Sequence, residues 1–138
     1  MTIGPDEILI ATAHGVGGSA KYAQTIRLGS HTLTSDEPAL HGGADAGPSP
    51  YGLVLAGLAA CTAITLRMYA DRKDWTLGEI KVDLTVMREG ETLERIERHI
   101  TIAGDLSVDQ RTRLAEIAEK TPVTKTLKRG TPIVTTFA

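Results

Sequence analysis

From Pro50 to Leu66 the chain runs for 17 residues without a charged side chain. Ser49 ahead of Pro50 marks where a helix begins, a hydroxyl cap followed by a proline whose fixed φ suits the first helical position. The pattern predicts a helix to about Arg72, with charge returning only at Arg67, Asp71 and Arg72. A helix that is apolar on every side has to be covered on every side. Seventeen residues fall short of the roughly 20 that span a bilayer, so the segment reads as a buried helix of a cytoplasmic protein, with no membrane partner. A chain of 138 residues has little else with which to wrap it. A second copy is the simplest cover, and an intimate homodimer is the expectation.

The rest of the chain reads as one α+β domain over residues 1–138. Ile8–Ala13 is a short apolar run suited to a strand, and Gly15, Gly17 and Gly18 after it suit a flexible turn. Tyr22, Ile26 and Leu28 share one face of a second strand; Gly29-Ser30 turns the chain, and His31–Thr34 returns. Residues 35–49, rich in Gly, Pro and Ala, form a loop long enough to suggest a functional role. Beyond Trp75, Val82, Leu84 and Val86 alternate with polar residues, and Ile96, Ile100 and Ile102 continue the apolar face on a return strand. Ser107 and Gln110 make a capping box that opens a helix ending near Lys120. Pro122 stops it and can seed one further turn with Thr121 as cap. Ile133–Phe137 is expected to close the chain as a strand, giving the order β-β-β-α-β-β-α-β.

Composition removes several function classes. The formal net charge is −2 and aromatic residues are 4%, which leaves no basic footprint or stacking platform for a nucleic acid partner. The start, Met1 to Glu7, has neither a basic nor an apolar leader region. One cysteine forbids an internal disulfide. The four histidines, His14, His31, His41 and His99, do not stand at metal-ligand spacing, so neither a metal nor a cofactor is expected. Gly15-Val16-Gly17-Gly18 lacks the Lys-Ser/Thr and the helix of a phosphate loop. A serine hydrolase elbow is also missing.

Two residues remain chemically interesting. Cys61 lies midway along the uncharged helix, where a cysteine can act simply as a small buried hydrophobe. It is too far into the helix for that helix's own dipole to act on it, so reactivity would require a positive group from elsewhere. Arg98 is the candidate. It falls in phase with Ile96, Ile100 and Ile102 on the apolar face of its strand, where an unpaired charge is costly. It must meet Asp36 or Glu37, a Cys61 thiolate or a bound anion, unless a bulge turns it to solvent.

The segments Ser35–Pro38, His41–Tyr51 and Leu58–Ala70 resemble the OsmC/Ohr family, and the likeness continues through Ile96–Arg98, Gly104–Ser107 and Ala118–Val123. The resemblance implies an intertwined homodimer with swapped strands and two central helices. It also implies thiol peroxidase chemistry on hydroperoxides, with Cys61 at the attacking position. Thr121 stands where the family's resolving cysteine belongs. The family's arginine position is Ser19, and its glutamate position falls at Tyr51 or Gly52. Arg98 and Glu37 are the replacements this chain offers. Two readings follow. In one, Cys61 is a single-cysteine peroxidase thiol that depends on an external thiol. In the other, the dimer binds an apolar acyl or lipid-like ligand and Cys61 only lines the pocket.

Overall fold

The computed structural model describes residues 4–18 and 20–138, so Ser19 and the first three residues of the expected non-leader start lie outside the described residues. The chain forms two compact units, one ending at Leu53 and one beginning at Val54.

The first unit is a three-stranded antiparallel sheet in the order β1 (His14–Gly17), β2 (Gln24–Leu28), β3 (His31–Ser35). Gly29, at φ +61°, makes the turn between the last two strands, a conformation that glycine adopts without a Cβ penalty. The first strand is not the apolar run. Ile8–Ala13 lies outside any strand, and the expected glycine turn is itself β1, pairing His14 with Arg27 and Val16 with Thr25. Pairing partners decide strands, and a glycine is admitted where a neighbour comes close. A Cβ on Gly17 would lie 2.8 Å from the Gln24 side-chain amide.

The loop that follows is folded around one carboxylate. Buried Asp36 accepts the Glu37 N–H on Oδ1 at 2.8 Å and the Ala44 and Ala46 N–H groups on Oδ2 at 3.1 Å each. The Ala46 bond leads in holding this carboxyl below its ordinary range, against the upward push of burial; hydrogen bonds to the charged form favour it. The loop is so tight that a Cβ on Gly47 would meet the Thr34 carbonyl oxygen at 2.0 Å.

Helix α1 (Pro50–Arg72) has the expected bounds, and Ser49 Oγ accepts the Gly52 N–H at 3.0 Å as its cap. In the second unit it meets the hairpin β4 (Ile80–Glu89) and β5 (Leu93–Ile102), then α2 (Val108–Ala118) and α3 (Pro122–Arg129). Both halves of the Ser107–Gln110 capping box form. Leu66 and Ala70 of α1 lie in the core with Leu77, Leu114 and Ala118, flanked by Ile80, Ile100 and Ile102 of the hairpin. At 23 residues α1 is long and apolar enough, by length and composition alone, to cross a membrane. Its buried stripe, Leu58, Thr62, Leu66 and Ala70, is nevertheless part of a packed unit.

The α+β class therefore holds, and the departures in detail are the first strand and the expected C-terminal strand. Within one chain α1 is buried along that stripe, as the shortage of covering chain predicts, while Ile64 and Met68 remain 57% and 59% exposed. Helix α3 and a tail without regular structure stand where a strand is expected: Pro at the first position of α3 restarts a helix, while Ile133–Phe137 is exposed and outside any sheet.

Candidate functional site

Cys61 is half-buried on α1. Its Sγ lies 3.9 Å from Thr65 Oγ1, one turn on, and accepts the backbone N–H of Val123 at 3.5 Å. Val123 is the second residue of α3. The first N–H groups of a helix have no intrahelical acceptor and carry the positive end of its dipole. The positive group that Cys61 lacks in its own helix is thus supplied by the start of another. The Val123 N–H is a hydrogen-bond donor aimed at the Cys61 sulfur from outside its own helix.

Arg98 takes a different place from the one expected. Its side chain is only 12% exposed, and its partners among the described residues do not include Cys61. Nη1 donates to Thr62 Oγ1 at 3.0 Å and to Thr124 Oγ1 at 2.8 Å; Nη2 donates to the Ala118 carbonyl at 3.0 Å. The carboxylate that meets it is Glu119, at 3.5 Å, rather than Glu37 or Asp36. Asp36 is instead engaged by backbone N–H groups, and Glu37 contributes its main chain to the same loop, its carbonyl accepting from Asp45. Glu119 also pairs with Lys128, whose hydrogen bond is the main influence holding the Glu119 carboxyl below its usual range.

Thr121 is fully buried, and its hydroxyl shares a hydrogen with Thr124 Oγ1 at 2.6 Å. Tyr51 stands in the first turn of α1, about half exposed. Cys61, Arg98 and Thr121 therefore belong to the second unit, whereas Glu37 and Tyr51 belong to the first. Among the described residues no cluster of His, Cys, Asp and Glu could hold a metal ion.

Sequence reasoning missed Val123, and with it the Arg98 partners Thr62, Thr124 and Glu119. A backbone N–H has no letter in the sequence, and only the Thr121-Pro122 pair signals that a helix starts there.

The family model for OsmC-like protein matches residues 42–136. No curated protein matches the chain. Among solved structures, an OsmC-like protein from Mycoplasma pneumoniae is 24% identical with a TM-score of 0.71, the match covering 89% of each chain. An organic hydroperoxide resistance protein OsmC from Legionella pneumophila is 21% identical with a TM-score of 0.67, covering 89% of this chain and 92% of its own. An organic hydroperoxide resistance protein from Elizabethkingia anophelis is 20% identical with a TM-score of 0.67, covering 89% and 91%. At these identities the likeness is one of fold.

Proposed function

The chain belongs to the OsmC-like family, and we propose that it acts there as a one-cysteine thiol peroxidase, with Cys61 as nucleophile. The observation that carries this reading is the Val123 N–H on Cys61 Sγ, at the start of α3. Organic hydroperoxide resistance, named for two of the structural relatives, points to an alkyl hydroperoxide as substrate. The Cys61 thiolate attacks the terminal peroxide oxygen, forming an S–O bond as the O–O bond breaks. Sulfur is oxidised by two electrons to the sulfenic acid, and the peroxide leaves as an alkoxide that takes a proton from water. With Thr121 in place of a second cysteine, an external thiol must attack the sulfenic sulfur and expel water; a second equivalent then releases Cys61. Such chemistry suits a reducing compartment, the cytoplasm.

A homodimer is part of the proposal. The exposed apolar side of α1, with Ile64 and Met68, and the exposed runs Ile8–Ile10 and Ile133–Phe137 are surfaces that a second copy would cover.

The test is stoichiometric organic hydroperoxide followed by mass spectrometry. One added oxygen at Cys61, trappable by a sulfenic-acid reagent, is expected. An unmodified Cys61 under conditions where a control peroxidase reacts overturns the reading.

A further inference from the structure

We infer that Arg98 is a positioning residue, fixing the joint between α2 and α3 so that the Val123 N–H meets Cys61 without the guanidinium touching the sulfur. This rests on the reading of Cys61 as the nucleophile. The partners of Nη1 are Thr62 and Thr124, the immediate sequence neighbours of Cys61 and Val123. One nitrogen thus bridges α1 to α3 beside the pair whose separation matters. Nη2 works at the other side of the joint. In an unbroken helix the Ala118 carbonyl would accept from residue 122, but Pro122 has no N–H to give. Arg98 Nη2 takes that place at 3.0 Å, with Thr124 Oγ1 donating to the same oxygen at 3.4 Å. Thr121 and Thr124 are joined within the turn, and no buried side-chain nitrogen or oxygen among the described residues is left unsatisfied. Without Arg98, the proline break that creates the start of α3 would leave the Ala118 carbonyl only the longer bond from Thr124.

Positioning and through-space charge make opposite demands on substitution. Arginine's planar fork engages Thr62, Thr124 and Ala118 together, and a lysine ammonium keeps the charge but not that geometry. Arg98→Lys, Arg98→Met and Thr124→Val are compared with the wild type, each first confirmed as folded by circular dichroism. The readout is the pH–rate profile of Cys61 alkylation by iodoacetamide, against free cysteine. The wild type is expected to be alkylated faster than free cysteine near neutral pH. Arg98→Lys and Thr124→Val are both expected to slow alkylation near neutral pH several-fold.

Rescue by Arg98→Lys would mean that charge and not placement is the agent, and would overturn the inference. So would variants that lose stability while keeping the wild-type profile, the result of a purely structural role. If Arg98→Met does not fold, Thr124→Val decides the matter with the guanidinium intact. A wild-type profile that coincides with free cysteine would instead remove the nucleophile reading on which the inference stands.

Discussion

Thr62→Val removes one hydroxyl from the interior and leaves the shape of the side chain almost unchanged. Thr62 is fully buried; its Oγ1 donates to the Leu58 carbonyl at 2.7 Å and accepts from Arg98 Nη1 at 3.0 Å. The first of these bonds is a local back-bond onto a helix carbonyl, which stabilises a helix little. The second is charge-assisted, and hydrogen bonds to charged groups contribute about 1.5–3 kcal/mol. Nη1 keeps Thr124 at 2.8 Å, so one of its two N–H groups stays paired and the loss falls in the lower part of that range. Burying a methyl in place of the hydroxyl offsets up to about 0.8 kcal/mol, and helix propensity is nearly equal for the two residues. The net expectation is a destabilisation of about 1–2 kcal/mol. Urea unfolding at neutral pH reads it, with protein concentration held fixed because association would shift the midpoint. The double variant with Thr124→Val should cost more than the two single changes added, since the second removes the last acceptor of Nη1. Unchanged or increased stability in Thr62→Val would mean that the guanidinium is solvated rather than held between the two threonines.

Other expectations follow from the same packing. Leu114→Ala, in the centre of the second unit, should lower stability by about 2–5 kcal/mol in the same assay. Asp36 and Glu119 both have carboxyls held below their ordinary range. The stability they contribute is complete above the unfolded-state values near pH 4 and is lost as pH falls through the lower folded-state values. The urea midpoint should therefore drop below about pH 4, and less steeply in Asp36→Asn. Analytical ultracentrifugation at micromolar concentration should find a dimer; a folded, monodisperse monomer would contradict the second-copy cover for α1.

Local chemistry made much of this fold legible. Ser49-Pro50 marks the start of α1, Ser107 with Gln110 marks α2, and the alternation through Val82, Leu84 and Val86 marks β4, because each signal is contained within a few residues. Strand pairing is not local. His14–Gly17 became a strand through its register with β2, whereas the more strand-like Ile8–Ala13 and Ile133–Phe137 stayed outside any sheet. The site follows the same division. That Arg98 lies on an apolar face and needs compensation is evident from the period of two; that Glu119, Thr62 and Thr124 provide it depends on how β5, α1, α2 and α3 meet. The Thr121-Pro122 pair announces a helix start, but not the sulfur it faces.

Peroxide turnover at Cys61 is read most directly as consumption of an alkyl hydroperoxide in the presence of a small dithiol. Wild-type protein is predicted to sustain many turnovers per chain, and Cys61→Ser to fall to the uncatalysed background while remaining folded. Equal rates for the two proteins would mean that Cys61 is not the nucleophile.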